Sequence, residues 1–301
     1  MARGIRWCLI ALSLGAGAAM LLSPGEVRLA LEAGLELCIT SVLPSLFPFF
    51  VLSSLLLSLG FSEALGRLLA PLMGTLFHLG GEGAGALALG LVGGYPSGAR
   101  AVSELYEKRH CSREEAERLL AFCNNCGPAF FLSFVGAERF GSVAVGARLW
   151  LIHVLAAFLT GILLRPKRQL GSASTCRHPA AAETSFSLAF VGAVQSGFSA
   201  FLSVSGFVLL FSVLLQPLRR LTGENALLLG LTELFSGVSA LPGTETGFVV
   251  AAFLTGFGGL SVHAQAMASF LPAGLRGRWY LRGKLLQAFL SAALAGLSLL
   301  L

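Results

Sequence analysis

GGYPSGAR, at residues 93–100, interrupts an apolar segment at the point where that segment should be crossing a membrane. In the hydrocarbon core an unpaired backbone N–H or C=O is so costly that irregular backbone survives only inside protein or beside a water-filled cavity. A second interruption, CNNCGP at residues 123–128, lies within the charge-free run at residues 119–137. Two broken helices in lipid indicate a transport path.

The composition defines the broad class of the protein. Hydrophobic residues make up 55% of the chain, charged residues 12%, and the mean hydropathy is +0.80. Because this leaves too little polar surface for a soluble fold, the sequence predicts an all-α integral membrane protein. The net charge of +6 is then interpreted as loop charge that orients the chain in the bilayer, and not as a nucleic-acid surface.

The first apolar segment, at residues 7–22, follows two arginines and would suit a cleaved signal peptide or a retained anchor. We favour an N-terminal membrane anchor over residues 1–29, because the later apolar segments carry the chain into the membrane in any case. The six cysteines show no disulfide pattern of a secreted protein, and none is expected to pair.

The two halves of the chain resemble each other. An ungapped shift places Gly34 on Gly192 and Ser45 on Ser203. The last span of the first half is followed by Arg165, Lys167, Arg168 and Arg177, and that of the second half is preceded by Arg276, Arg278, Arg282 and Lys284. These two spans run in opposite directions if both basic loops are cytoplasmic. We predict two inverted repeats with broken or re-entrant helices, at residues 30–165 and 186–301, joined by a cytoplasmic linker at residues 166–185. The alternative is chance similarity between Gly/Ser-rich helices.

Two further segments carry specific expectations. Residues 184–218 are too long for a simple span of about 20 residues, and we expect an amphipathic or re-entrant piece followed by a span. In the polar stretch at residues 104–118, Ser112 followed by Glu115 predicts a capping box at the start of a helix. The charges of this stretch are interpreted as a solvated helix face.

The motif GYPSGA at residues 94–99, the helix at residues 112–120 and FCNNCGP at residues 122–128 resemble the YlbJ family of sporulation integral membrane proteins over nearly the whole chain. That family belongs to the nucleoside-recognition, or Gate, proteins, which are similar to concentrative nucleoside transporters and to the membrane part of the ferrous-iron transporter. The resemblance implies a substrate centre built from helical hairpins and unwound helices. It also implies transport of dipicolinic acid across the outer forespore membrane of a sporulating Firmicute. Cys126 departs from the family pattern, so essential thiol chemistry is not expected there.

Several polar residues in apolar segments are candidates for binding the substrate. Arg100, beside a broken helix, could hold a carboxylate by two hydrogen bonds, or it could snorkel to the membrane interface. Glu233 could carry a coupling proton, neutralise Arg100 or mark a helix end, and His263 could contact the substrate or only a neighbouring helix. The serine and asparagines at the two interruptions could bind the ligand or cap helices. The complete predicted set is Ser97, Gly98, Arg100, Asn124, Asn125, Gly127, Thr232, Glu233, Ser236, His263 and Gln265.

Other functions are weaker interpretations of this sequence. Cys123 and Cys126 have thiol spacing, but no second pair completes a four-ligand zinc site, so we predict neither a metal nor another cofactor. Ser97 does not lie in a nucleophile elbow, so we predict no enzyme. Besides an anion transporter, the alternatives are a nucleoside-type carrier and a non-transporting sporulation scaffold. The expected partners are a small anionic substrate and the lipid bilayer, without nucleic acid; a homo-oligomer is left open.

Overall fold

The computed structural model describes residues 3–170, 185–223 and 225–300, and within them it contains helices but no strand. Most of the linker predicted at residues 166–185 lies outside the described residues. Four helical stretches in the described part are long and apolar enough to cross a membrane: Pro24–Ser58, Val143–Leu163, Phe186–Leu214 and Glu245–Phe270. The prediction of an all-α integral membrane protein is confirmed.

After an N-terminal helix, the first half contains a long helical stretch with a π-helical turn in it, a short helix, two pairs of helices separated by interruptions, and a final span. Pro24 lies in the first turn of its helix, where its missing N–H breaks no hydrogen bond. The elements are α1 (Arg3–Leu22), α2 (Pro24–Leu37), a π-helical turn (Cys38–Val42), α3 (Leu43–Ser58), α4 (Phe61–Thr75), α5 (Gly83–Gly93), α6 (Ser97–Glu107), α7 (Arg113–Leu119), a π-helix (Phe130–Arg139) and α8 (Val143–Leu163).

The second half contains one long helix, one short helix, two pairs of helices separated by interruptions, and a final span. Its last interruption is at Gly258, whose φ of 98° is a left-handed conformation that favours glycine. The elements are α9 (Phe186–Leu214), α10 (Gln216–Thr222), α11 (Ala226–Thr232), α12 (Leu234–Ser239), α13 (Glu245–Phe257), α14 (Gly259–Phe270) and α15 (Arg278–Ser298).

Both interruptions that the sequence predicts are present. The first separates α5 from α6 at Gly94, and these two helices fold back along each other as a hairpin. Gly90 and Gly98 lie so close to the Cys123 carbonyl oxygen that neither position has room for a Cβ. The second interruption, after α7, therefore packs closely against both helices of the α5–α6 hairpin. In the second half, α11 and α12 form a similar hairpin around Gly230 and Gly237.

The re-entrant piece expected at residues 184–218 is wrong, because α9 is one continuous helix from Phe186 to Leu214. Its glycines and serines serve packing and cavity lining without breaking the backbone. At Gly197, a Cβ would lie 2.7 Å from Val51 Cγ2 of α3, so glycine lets the two long helices approach. Ser212 satisfies its hydroxyl within the helix by donating to the Val208 carbonyl at 2.8 Å.

The two final spans run antiparallel. Arg118 of α7 donates to the Leu164 carbonyl, just after α8, at 2.6 Å, and its guanidinium lies 3.5 Å from the ring centroid of Trp279 at the start of α15. Since α8 and α15 pack against each other, the end of one lies beside the beginning of the other. We call this side the basic end, because Arg165 and Arg278 both lie there.

Candidate functional site

A small apolar cavity lies where interruptions from both halves meet. Its volume is about 60 Å³. We call it the inner chamber, and its wall includes residues of both interruptions of the first half and of the one before α12. Its lining includes Gly93, Gly94 and Tyr95 from the first interruption, Cys126 and Gly127 from the second, Leu234 and Phe235 from α12, and Phe50, Ser53, Val204 and Gln265 from the surrounding helices.

A wider cavity of about 470 Å³ adjoins the inner chamber. We call it the vestibule; the two cavities share Ser53, Tyr95 and Gln265 as lining residues. The vestibule follows α6 from its first residue towards the basic end, and α9 supplies a hydroxyl-bearing wall. Its polar lining includes Ser97, Arg100 and Glu104 of α6, and Ser196, Ser199 and Ser203 of α9.

Arg100 is the positively charged residue of the vestibule wall. Its side chain is exposed to this cavity, and within the described chain it forms no ion pair or hydrogen bond. Glu104, one turn further along α6, instead forms an ion pair with Lys108, with 3.6 Å between Glu104 Oε2 and Lys108 Nζ. Arg100 is therefore free to donate to an anion that enters the vestibule.

Asn124 and Asn125 hold the second interruption in place. Both are fully buried, and neither lines the inner chamber or the vestibule. Asn124 Oδ1 accepts from the Ala99 N–H at 3.3 Å, and Asn125 Nδ2 donates to the Phe122 carbonyl at 2.8 Å. The structure thus gives both amides a local structural role, and their contact with substrate stays a prediction.

Glu233 caps a buried helix. Its carboxylate accepts from the backbone N–H groups of Phe235 at 3.0 Å and Ser236 at 2.6 Å, at the start of α12. The preceding Thr232 donates to the Leu229 carbonyl at 2.6 Å. The third role considered for Glu233 was to mark a helix end at the surface; Glu233 does cap a helix, but it is buried.

Lys284 corrects the sequence-based interpretation, which counted it among the loop charges before the last span. It lies within α15 and is fully buried. Its Nζ donates to the Asn124 carbonyl at 2.8 Å and to the Tyr95 hydroxyl at 3.2 Å. Tyr280, Lys284, Gln287 and Ser291 are spaced four, three and four residues apart, which places them on one helix face. That buried polar stripe is the signal that sequence reasoning missed.

The stripe on α15 connects to both halves of the chain. Gln287 Nε2 donates to Asn125 Oδ1 at 2.9 Å and lies 3.3 Å from His153 Nε2. His263 Nδ1 lies 2.9 Å from the Tyr280 hydroxyl. His263 is therefore bonded to a neighbouring helix, which is one of the two roles considered for it, and it is not among the residues that line the two described cavities.

The cysteines provide no metal centre in the described part of the chain. Cys123 and Cys126 are buried free thiols, and no group of three or more His, Cys, Asp or Glu side chains among the described residues could hold a metal ion. Outside the spans, burial and the nearby Glu115 and Glu82 carboxylates raise the pKa of the Cys111 thiol to about 12. Cys111 is therefore a thiol rather than a reactive thiolate near neutral pH.

The structure separates the predicted site residues into two groups. One group lines the cavities: Ser97, Arg100 and Gln265 face the vestibule, and Gly127 and Gln265 face the inner chamber. The other group supports these walls from within the protein and consists of Gly98, Asn124, Asn125, Thr232, Glu233, Ser236 and His263.

Comparison with known proteins confirms the family resemblance. Residues 39–141 match the family model described as nucleoside recognition, or Gate, and this range contains both interruptions of the first half. The chain is also 29% identical, over 306 residues, to the sporulation integral membrane protein YlbJ of Bacillus subtilis, covering 87% of this chain and 75% of that protein. No solved structure matches this chain.

Proposed function

We propose that this protein is a membrane transporter, and not an enzyme, that carries a small organic anion by alternating access. The observation that carries the proposal is the inner chamber, which is walled in part by helix interruptions of both halves. It adjoins a vestibule lined by Arg100, whose side chain has no partner among the described residues. Interrupted helices at the membrane midplane are where transporters of many folds bind their substrates. Dipicolinic acid is the substrate that we expect.

Two inverted repeats with re-entrant hairpins would account for the arrangement of helices. The α5–α6 hairpin starts near the basic end, where the His78 carbonyl accepts from the Leu170 N–H at 2.8 Å. The loop after the α11–α12 hairpin leads to Phe248, which packs beside Phe140 at the start of α8, the opposite end. Hairpins that enter the protein from opposite ends would suit alternating access by two inverted repeats.

The sizes and charges of the two cavities favour a small anion that enters from the basic end. Pockets for small molecules are typically about 300–1,000 Å³, so the vestibule could admit one ring compound. The inner chamber, at about 60 Å³, could do so only when the helices around it separate. Arg100 attracts carboxylates, and the N-terminal end of α6 adds a favourable dipole.

The similarity to the sporulation integral membrane protein YlbJ supports a role in sporulation. The outer forespore membrane is the location that we expect for such a transporter. By the positive-inside rule the basic end is cytoplasmic, so the open vestibule would face the mother cell. A nucleoside-type carrier is the second candidate, because the matched family model is described as nucleoside recognition.

Uptake by the purified protein in proteoliposomes tests this proposal. Labelled dipicolinate and labelled uridine are compared in wild-type protein, in Arg100→Ala and in Arg67→Ala, which removes an exposed arginine of α4 outside both cavities. We expect dipicolinate uptake that falls at least tenfold in Arg100→Ala and is unchanged in Arg67→Ala. Uptake of uridine alone would favour the nucleoside carrier, and uptake of neither compound by folded protein would contradict the proposal in favour of a scaffold.

A further inference from the structure

Lys284 is a buried lysine that the proposed anion site does not yet use. Its ammonium group has no exposed surface. An ammonium has three N–H donors, and two are satisfied, by the Asn124 carbonyl and the Tyr95 hydroxyl. Both acceptors belong to the helix interruptions that wall the inner chamber.

Among the residues that the structure describes, no carboxylate forms a salt bridge with the amino group of Lys284. Each neighbouring element presents an uncharged type of group: Tyr95 and Cys126 at the interruptions, His153 on α8, His263 on α14, and Tyr280 on α15 itself. The charged residues of the packed helices, such as Arg118, Arg148 and Glu245, lie at the helix ends. A buried charge is costly unless an opposite charge compensates it.

The position of Lys284 suggests where that compensation comes from. Tyr95 lines the inner chamber and the vestibule, and its hydroxyl lies 3.2 Å from the Lys284 Nζ. Cys126 lines the same chamber. Lys284 therefore lies directly behind the chamber wall, one side chain away from a bound ligand. The Tyr95 hydroxyl now donates to the Thr255 carbonyl at 3.2 Å, a bond that it can exchange for a carboxylate acceptor.

We propose that Lys284 is the positive charge that makes the inner chamber selective for carboxylates, acting through the Tyr95 hydroxyl, which donates to the bound anion. This inference rests on the proposed transport function and identifies the residue that selects the class of substrate. Tyr95 contacts the ligand, and Lys284 is a positioning residue that polarises the hydroxyl and compensates the ligand's charge. A ligand of the same shape without ionised carboxylates gains nothing from this arrangement.

A pair of ligands that differ in charge but not in outline tests the inference. Affinities of purified protein for pyridine-2,6-dicarboxylate and for the neutral pyridine-2,6-dicarboxamide are measured by titration calorimetry. Lys284→Gln removes the buried charge, and Arg282→Gln is the matched control, because Arg282 is exposed on the same helix. We expect Lys284→Gln to weaken dicarboxylate binding at least tenfold and to leave dicarboxamide binding within twofold, while Arg282→Gln resembles the wild type.

The outcomes separate this inference from the proposed function. The inference would be overturned if Lys284→Gln bound the dicarboxylate within twofold of the wild-type affinity, or if it lost affinity for both ligands equally. Neither result would contradict anion transport. Binding of neither ligand by wild-type protein would overturn both. If Lys284→Gln does not fold, Tyr95→Phe decides: a selective loss of dicarboxylate affinity supports the inference, and an unchanged ratio of the two affinities overturns it.

Discussion

Buried polar side chains next to the helix interruptions replace hydrogen bonds that a continuous helix would have made. Asn125 Nδ2 donates to the Phe122 carbonyl, and Glu233 accepts two backbone N–H groups at the start of α12. Within a membrane these backbone groups cannot form hydrogen bonds with water, so the side chains are needed to satisfy them. Arg100 differs from them, because its guanidinium faces a cavity and is unpaired within the described residues.

Replacing Glu233 with alanine should destabilise the protein. Loss of a helix cap typically costs about 0.5–2 kcal/mol, and the upper part of this range is expected because Glu233 is only 1% exposed. Thr244→Ala is the control, since Thr244 caps the start of α13 by one hydrogen bond of 3.3 Å and is exposed. Thermal unfolding in detergent should show a clearly larger loss of melting temperature for Glu233→Ala. Equal losses would contradict this account of Glu233.

For single residues, the sequence predicts the identity of the important side chains better than it predicts their positions. Arg100 was predicted beside a broken helix, and it lines the vestibule there. Lys284 was misplaced because it follows Arg278 and Arg282, and a run of charges normally marks the end of a span. Only the helical spacing of Lys284 with Tyr280 and Gln287 distinguishes it from its basic neighbours.

Among the elements, α7 joins the two halves of the chain at the basic end. Arg113 donates to the Gly274 carbonyl at 2.6 Å, Glu117 accepts from the Arg276 N–H at 3.1 Å, and Arg118 lies over the Trp279 ring. The predicted capping box is present, with Ser112 accepting from the Glu115 N–H at 3.3 Å. This helix is thus docked against the loop before α15, rather than being only a solvated face.

Replacing Arg118 with alanine should weaken this contact between halves. Loss of the stacking on Trp279 and of the charged hydrogen bond to the Leu164 carbonyl should cost about 1–2 kcal/mol. Arg118→Lys should not restore the stability, because an ammonium lacks the planar group that stacks. Thermal unfolding is the readout, with Lys108→Ala as control, since its exposed pair with Glu104 contributes at most about 0.5 kcal/mol. Full stability of Arg118→Ala would contradict the docking role.

The interruptions were predictable because glycine and proline act locally, at their own position in the chain. The continuity of α9 was not predictable, because its glycines and serines would suit a break equally well. Contact with α3 determines the outcome, because Gly197 packs against Val51. Three of the serines of α9 line the vestibule: Ser196, Ser199 and Ser203. Such contacts between distant parts of the chain are not visible in one segment of sequence.

For the whole molecule, the antiparallel final spans predict opposite exposure of two loops. Lys108 follows α6 at the basic end, whereas Gly243 precedes α13 at the opposite end with no atom within 4 Å of an added Cβ. In a variant without native cysteines that is expressed in the cell membrane of non-sporulating bacteria, we expect Gly243→Cys to react with an impermeant maleimide on intact cells. Lys108→Cys should react only after permeabilisation. Reaction of both from the same side would contradict the inverted arrangement.

The cavities themselves could not be predicted from the sequence. The first interruption, the second interruption and α12 were each recognisable as candidate site segments, but the chamber wall also contains Phe50 of α3 and Val204 of α9. No local signal marks these apolar residues, because they resemble any other residue of an apolar span. The inner chamber exists only through the packing of both halves.

The central claim is that substrate passes through the vestibule and the inner chamber. Ser53 lines both cavities, so Ser53→Trp would fill the passage, whereas Leu52→Trp places the same ring on the exposed face of α3, where Leu52 is 50% exposed. The decisive measurement is the initial rate of dipicolinate uptake by both variants in proteoliposomes. We predict at least a tenfold reduction for Ser53→Trp and a wild-type rate for Leu52→Trp. Equal rates in the two variants would contradict the claim.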